Sequence, residues 1–343
     1  MILKFMYEKI ISKITKLTDS KHKNVLIENG KTIPISKDNF HSIERSDSSN
    51  KIAFVDGGNA EILKAVNFSL HVIRVSGVIF ENNKKIKSEK KEFFVLIHAL
   101  MENDKLKYRT EVFGDKILDN LEFNSTDKTI MNGLQRADIS KIGGICRRFA
   151  EISFANMLVD RLSHGDIIVL DGSLRCCVTD EDNYIQKLYD KSAGKGVTVS
   201  ALAKTSRIFS DQGGCFITEL NNFKTKGAWY YYPVVELTDP NYQARIAFVK
   251  LNKSSSYIFN FEQYKGQEDK IKEVISLLSK NSNDAVFPGY PYGLILTDKI
   301  ARISSREKDY LLTMFKVKAG KEWNNIKNHL NVLDSHDILD NIS

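Results

Sequence analysis

Two aspartates stand at the ends of apolar runs, and each is followed by glycine. Asp56 closes the run at 52–55 and precedes Gly57-Gly58, while Asp171 closes the run at 167–170 and precedes Gly172. A carboxylate that leaves a buried strand is held at the rim of a sheet and stays reachable, and the glycine permits a sharp turn and a close approach. One such pair is usually only a turn, but two of them predict a functional site.

Glu151 is the third candidate carboxylate. It lies in a segment whose apolar residues recur at helical spacing from Ile142 to Leu162. Taken alone, it is an ordinary solvated glutamate. The predicted helix leads directly into the strand that ends at Asp171, however, so a helix packed across the sheet can direct Glu151 toward the same rim as Asp56.

These three acids predict a site for hard divalent cations. Carboxylates within a few ångström raise one another's pKa unless cations neutralise them. Oxygen ligands select Mg²⁺ or Mn²⁺ over Zn²⁺, and two such ions about 3.5–4 Å apart promote phosphodiester hydrolysis. The four cysteines have no metal-ligand spacing and indicate reduced thiols in an intracellular, cytoplasmic protein.

A second group of candidates lies near the end of the chain. Two of the five prolines fall in Pro288-Gly289-Tyr290-Pro291, just before a predicted helix at about 292–316 that contains Asp298. Asp298 either stabilises the start of that helix through its dipole or is a fourth acidic ligand. In the second case Tyr290 would position a phosphate or a water molecule.

The net charge of the chain indicates a polyanionic partner, and the distribution of charge along the sequence indicates which region holds that partner. The net charge is +7 with a pI of about 8.9, and residues 1–100 carry 17 basic and 11 acidic groups. Residues 151–200 are acidic instead, with 8 acidic and 5 basic groups. We interpret Lys204, Arg207 and Arg148 as phosphate contacts, although a solvated helix start explains Lys204 and Arg207 equally well. The lysines at 84–91 are either a solvated sheet edge or a phosphate contact.

The order of the predicted elements is that of a ribonuclease H-like α/β fold, a mixed sheet flanked by helices. An amphipathic N-terminal helix at 1–17 either covers the core or docks a partner or second subunit. No apolar run is long enough to span a membrane.

The remaining predictions follow in chain order: a polar linker (36–50), a strand meander (52–55, 65–80, 93–100), an irregular stretch (101–135), a helix ending at Gly165, a buried strand (167–170), a helix (181–192), a strand (197–201), strands at 228–237, 245–250 and 256–260, and helices at 268–281 and 292–316. We predict an N-terminal helix and linker (1–50), a nuclease-type domain (51–316) and a C-terminal tail (317–343), so that the N-terminal helix and the C-terminal helices and strands are additions to the core.

In this order and over residues 50–310, the chain resembles the NurA nucleases of archaea. The resemblance rests on Val55-Asp56-Gly57-Gly58, Glu151, Leu170-Asp171-Gly172-Ser173 and Gly289-Tyr290-Pro291-Tyr292. It implies a Piwi-like fold and a manganese-dependent nuclease, with Mg²⁺ as a possible substitute. The family degrades DNA, typically from 5′ ends, as a homodimer that works with the hexameric ATPase HerA on double-strand breaks. The same resemblance implies that Asp56, Glu151 and Asp171 are metal ligands and that Tyr290 is an active-site residue.

One departure from the family pattern bears on activity. The family usually has Ala-His where this chain has Thr297-Asp298. An aspartate cannot replace a histidine proton donor at neutral pH, but it can bind a cation, so we expect activity with altered metal or pH dependence. Two other functions stay open: a DNA-binding or helicase-adapter subunit without turnover, and a sugar kinase or ATPase of ribonuclease H-like fold.

Overall fold

The computed structural model describes residues 2–330 apart from 19–23, 27–31, 45, 47, 207, 212, 224, 236–238 and 240. The strands are β1 (Asn24–Leu26), β2 (Thr32–Pro34), β3 (Phe40–Ser42), β4 (Ile52–Lys64), β5 (Phe68–Glu81), β6 (Lys84–Glu102), β7 (Lys105–Gly114), β8 (Glu122–Asn124), β9 (Ile167–Asp171), β10 (Thr198–Ala203), β11 (Trp229–Tyr231), β12 (Ala244–Lys250) and β13 (Phe259–Tyr264). The α-helices are α1 (Ile2–Thr18), α2 (Lys141–Leu158), α3 (Glu181–Lys195), α4 (Phe216–Asn222), α5 (Ile271–Lys280), α6 (Tyr292–Ala301) and α7 (Ser305–Ala319).

The chain divides into two compact units. The large unit comprises Ser49–Ser200 and Tyr292–Ser343, and the small unit comprises Met1–Ser48 and Ala201–Pro291. Strand β10 begins in the large unit and ends in the small one. None of the helices in the described part of the chain is long and apolar enough to cross a membrane.

The large unit contains an antiparallel meander in which β4, β5, β6, β7 and β8 pair in chain order. Asn82 and Asn83 form the β5–β6 turn with φ of 49° and 60°, the left-handed conformation that tight hairpins require. The lysines at 84–91 fall on β6, where β7 does not pair, since the β6–β7 register begins at Phe93. They therefore lie on a strand edge.

Strand β9 extends this meander on its other side. It runs parallel to β4, with Ile52 opposite Ile167 and Val55 opposite Leu170, and β10 is its next neighbour. Parallel neighbours need a crossover connection, and α2 lies in the one between the meander and β9. This is the ribonuclease H-like order, so the predicted fold class is confirmed.

Helices cover both faces of the meander. On one face Gly77 of β5 lies against Leu158 and Phe154 of α2. On the other face the Ser76 hydroxyl donates a hydrogen bond to the Thr297 carbonyl of α6 at 2.9 Å. Successive strand residues alternate between these two faces, so each site residue on β4 can be assigned to one helix.

Several predicted boundaries in the large unit are wrong. The stretch 101–135 is not irregular throughout, because it contains β7 and β8. Helix α2 ends at Leu158 and a single 3₁₀ turn follows, so Gly165 (φ 88°) belongs to the turn that enters β9. The predicted helix at 292–316 is two helices, because the Ser304 hydroxyl accepts the Glu307 N–H at 3.1 Å and starts α7.

The small unit departs from the sequence prediction at its start and around its strands. The segment 36–50 is not only a linker, since β3 lies in it and pairs with β11. Among the described residues of the predicted strand at 228–237, only the short β11 is a strand, and the predicted strand at 256–260 lies further on as β13. All described side chains of α1 from Met6 to Leu17 are exposed, so the interpretation of this helix as a cover over the core is wrong.

The start of the predicted C-terminal tail, 317–343, packs against the sheet within the large unit. Its residues Trp323, Ile326 and Leu330 contact an apolar cluster around Leu63 and Leu70 on β4 and β5. Residues 331–343 lie outside the described part of the chain.

Candidate active site

Asp56 and Asp171 lie at the same level of two adjacent parallel strands. Asp171 is the last residue of β9, whereas Asp56 is the fifth residue of the long strand β4, so the prediction that Asp56 ends its strand is wrong. Val55 pairs with Leu170, and each aspartate is the next residue of its strand. Neighbouring strands lie about 4.8 Å apart, so the register brings the two carboxylates together as the sequence predicts. Asp56 is 8% exposed, and β9 ends at Asp171, where Gly172 adopts a φ of 105°.

Asp56 belongs to the face of the sheet that α6 covers. It pairs with Ser76, whose hydroxyl bonds to α6, and Gly58, two residues on, lies against the Ala301 carbonyl of the same helix. One carboxylate oxygen of Asp56 accepts the Gly57 N–H at 2.7 Å. That bond fixes the orientation of the Asp56 side chain.

Glu151 approaches the same residues from α2. Its carboxylate lies so close to Gly57 that a Cβ on residue 57 would be 2.7 Å from Oε1. Glycine at this position therefore lets the helix carboxylate reach the strand beside Asp56. Glu151 is 4% exposed, and Arg147 donates to its Oε1 at 2.5 Å while also donating to the Gly57 carbonyl at 3.0 Å.

The pKa of Glu151 is raised to about 7, and burial of the carboxyl group is the largest cause. Arg147 and Arg148 oppose this rise, the negative charge of Asp171 contributes to it, and a Gly57 backbone hydrogen bond lowers the pKa. Perturbed carboxyl groups of this kind are frequent in functional sites, since they arise where like charges are held together away from water.

Arg148 holds the loop that follows Asp171. Its Nε donates to Glu181 Oε1 at 2.8 Å and its Nη2 to the Ser173 carbonyl at 2.6 Å. Glu181 is 2% exposed and also accepts the Cys177 N–H at 2.7 Å. Arg148 was predicted to contact phosphate, and the structure gives it these internal partners; a phosphate contact stays a prediction.

Asp298 lies on α6, in the large unit with the other three carboxylates. It forms an ion pair at 2.7 Å with the largely exposed Arg302, the residue that follows the end of the helix. Thr297, the preceding residue, is buried and its hydroxyl donates within the helix to Gly293 and Leu294. Whether Asp298 joins the other carboxylates as a ligand stays a prediction.

Tyr290 and Lys204 belong to the small unit. Tyr290 is 1% exposed and stacks on Phe287, with ring centroids 5.2 Å apart. The Lys204 ammonium lies 5.3 Å from the centre of the Tyr290 ring, a cation–π distance. The two predicted residues are therefore neighbours, whereas Arg207 lies outside the described residues.

The carboxylates fit a hard divalent cation in their chemistry, since Asp56, Glu151 and Asp171 offer only oxygen donors. In the structure, however, the three carboxylates are not arranged as a complete set of metal ligands. Across the part of the chain that the structure describes, no three histidine, cysteine or acidic side chains are grouped so that they could hold a metal ion. Glu151 is instead held by Arg147.

The sequence interpretation gave no role to Arg147 or Glu181. A signal for Arg147 was available, because it precedes Glu151 by four residues and such pairs meet on a helix. Glu181 had no comparable signal, since its partner Arg148 lies 33 residues earlier.

The strand order and the parallel pairing of β4 with β9 define a ribonuclease H-like α/β fold. The fold is similar to that of the NurA nuclease from Sulfolobus solfataricus, with a TM-score of 0.55, 14% identity, and coverage of 92% of this chain and 97% of that one. The predicted resemblance is thereby confirmed at the level of the fold.

Two other solved structures are similar over shorter parts of the fold. The catalytic domain of human endonuclease V matches with a TM-score of 0.40 and 10% identity over 75% of this chain and 82% of its own. Argonaute from A. aeolicus matches with a TM-score of 0.34 and 9% identity over 75% of this chain and 29% of its own. No protein-family model matches the sequence, and no curated protein matches it either.

Proposed function

We propose that the protein is a divalent-metal-dependent DNA nuclease of the NurA type. The observation that carries this proposal is the register of β4 and β9, which sets Asp56 level with Asp171, together with the close approach of the Glu151 carboxylate to Gly57, the residue after Asp56. The NurA-like fold supports it. Asp56, Glu151 and Asp171 would hold the cation, with Asp298 as a further ligand. A divalent cation supplies charge stabilisation for the attacking and leaving oxygens of phosphodiester hydrolysis.

The finer proposal follows the family resemblance. The substrate is single- and double-stranded DNA, cleaved as a 5′ to 3′ exonuclease with some endonuclease activity, and Mn²⁺ is preferred over Mg²⁺. The protein acts as a homodimer with a HerA-type hexameric ATPase in resection of double-strand break ends. Lys204, beside Tyr290, would contact the DNA backbone, since phosphate contacts supply much of the affinity for DNA.

The test is cleavage of end-labelled single- and double-stranded DNA in Mn²⁺, Mg²⁺ or EDTA. We expect nucleotide release with Mn²⁺, none in EDTA, and loss of at least about 100-fold in the variants Asp56→Asn and Asp171→Asn, because removing a ligand carboxylate removes most of the charge stabilisation. Asp160→Asn is the matched control, since Asp160 is exposed and pairs with Lys191 away from these strands. Equal activity in all three variants would refute the proposal.

A second candidate function is a DNA-binding or helicase-adapter subunit with little turnover. The observation that favours it is the ion pair of Glu151 with Arg147, which occupies a carboxylate oxygen that a cation would need. Tight DNA binding without cleavage under every metal condition would select this alternative.

A further inference from the structure

Arg147 reaches from the protein surface into the group of buried carboxylates. Its side chain is 35% exposed, whereas that of Glu151 is 5% exposed. Nη1 lies 2.5 Å from Glu151 Oε1 and 3.0 Å from the Gly57 carbonyl oxygen. A single guanidinium nitrogen therefore joins an oxygen of α2 to an oxygen of β4 beside Asp56.

The oxygens that Arg147 contacts are of the kind that a hard cation uses. Carboxylate and backbone carbonyl oxygens bind Mg²⁺ and Ca²⁺ in proteins, and Glu151 Oε1 cannot serve a cation and Arg147 fully at once. The neighbouring arginine differs in this respect. Arg148 bonds to Glu181 and to the Ser173 carbonyl, and its distance to Glu151 Oε2 is 3.9 Å.

We propose that Arg147 is an internal counter-ion that competes with the divalent cation for Glu151. This inference rests on the proposed metal site and adds a role that the nuclease proposal does not contain. Without a divalent cation, Arg147 neutralises Glu151, whose burial would otherwise leave a costly unpaired charge. When the cation binds, Arg147 leaves Oε1 and turns toward solvent, which its partial exposure permits. Removing Arg147 therefore strengthens cation binding and weakens the metal-free protein.

The test measures Mn²⁺ binding directly, by calorimetry or equilibrium dialysis, on the full chain without DNA. In Arg147→Gln we expect the Mn²⁺ dissociation constant to fall roughly threefold to tenfold, the range expected when a partly exposed competing ion pair is removed. We also expect a lower thermal midpoint without metal and a larger Mn²⁺-induced rise in that midpoint. Arg147→Lys keeps the charge, and its Mn²⁺ affinity should stay closer to that of the wild type.

Arg245→Gln is the matched control. Arg245 forms a similar pair with Glu268 at 2.6 Å in the small unit, so its loss should leave the Mn²⁺ dissociation constant unchanged. If Arg147→Gln does not fold, the Mn²⁺ affinity of Arg147→Lys is compared with that of the wild type instead. Slightly tighter Mn²⁺ binding by Arg147→Lys would then support the proposal. An equal or weaker Mn²⁺ affinity in the folded variant, or no Mn²⁺ binding by the wild type, overturns the proposal.

DNA cleavage separates this proposal from the nuclease function. If Arg147→Gln binds Mn²⁺ more tightly but wild-type protein cleaves no DNA, Arg147 is the counter-ion and the nuclease proposal fails. If the wild type cleaves DNA and the two Mn²⁺ affinities are equal, the nuclease proposal holds and the Arg147 proposal fails.

Discussion

Glu181 accepts the Nε–H of Arg148 at 2.8 Å in the interior of the large unit, and this pair joins α3 to α2. The same carboxylate accepts the Cys177 N–H, and the same guanidinium donates to the Ser173 carbonyl. Both ends of the loop after Asp171 are therefore tied to one ion pair.

Glu181→Gln is expected to destabilise the protein by about 3–5 kcal/mol, because it leaves the Arg148 charge buried without its partner. Urea unfolding measures the change, and limited proteolysis between Ser173 and Val178 should become faster. Lys191→Gln breaks the exposed pair with Asp160 and should cost less than about 1 kcal/mol. A similar loss in both variants would contradict this role for Glu181.

Metal-free stability is expected to fall as pH rises toward 8. The pKa of Glu151 is raised from 4.5 to about 7, so its contribution to stability is fully present below pH 4.5 and is lost as pH rises through about 7. The shift corresponds to roughly 3 kcal/mol, and Glu151→Gln should remove that part of the pH dependence. Thermal unfolding of the wild type and Glu151→Gln between pH 4.5 and 8 tests this. If the stability of both proteins changed with pH in the same way, the prediction would be contradicted.

Gly57→Ala should displace the Glu151 carboxylate, since the new Cβ would lie 2.7 Å from Oε1 and 2.8 Å from Cγ. We expect a loss of about 1–3 kcal/mol in unfolding free energy, together with weaker Mn²⁺ binding. Gly144→Ala on α2 is the control, because a Cβ there meets nothing within 4 Å. That variant should be stabilised by about 0.5–1 kcal/mol through helix propensity. If Gly57→Ala behaved like the control, the close approach of α2 to β4 would be wrong.

Asp298→His tests the departure from the family pattern. If Asp298 is a ligand, the substitution changes both the Mn²⁺ dissociation constant and the pH profile of DNA cleavage, because histidine titrates near neutral pH. Arg302→Gln removes the ion-pair partner of Asp298 and serves as the comparison. An unchanged affinity and an unchanged profile in Asp298→His would exclude a metal role for Asp298.

Ile10→Lys with Ile14→Lys is expected to leave the unfolding free energy within about 0.5 kcal/mol of the wild type, because both side chains are exposed on α1. If the proposed homodimer uses this helix, the same double variant dissociates it. Sedimentation across a concentration series measures the dimer dissociation constant. An unchanged dissociation constant in the double variant would show that the dimer contact lies elsewhere.

The sequence predicts the elements whose patterns are local and misses those whose partners are distant. The run at 167–170 is apolar throughout and was correctly interpreted as a buried strand. Strand β7 was missed because lysines and acids alternate with its apolar residues on a half-exposed surface. The break before α7 had a local signal, since Ser304 and Glu307 have capping-box spacing.

The sequence singles out the candidate acids but not the ion pair that one of them forms. Asp56, Asp171 and Glu151 stood out because each is placed at or beside an apolar run. The pairing of Glu151 with Arg147 could not be ranked from sequence, because it depends on how closely α2 approaches Gly57. Contacts of this kind are fixed by packing between elements far apart in the chain.

The pairing of β4 with β9 also determines when the site can form. Val55 and Leu170 are separated by more than 100 residues, and pairing over such a separation slows folding because the intervening chain must close a large loop. A nascent chain that has been synthesised only as far as α2 carries Asp56 and Glu151 without Asp171. Assembly of the carboxylates is thus delayed until the meander, α2 and β9 have all been made, which keeps incomplete polypeptides from carrying the whole site.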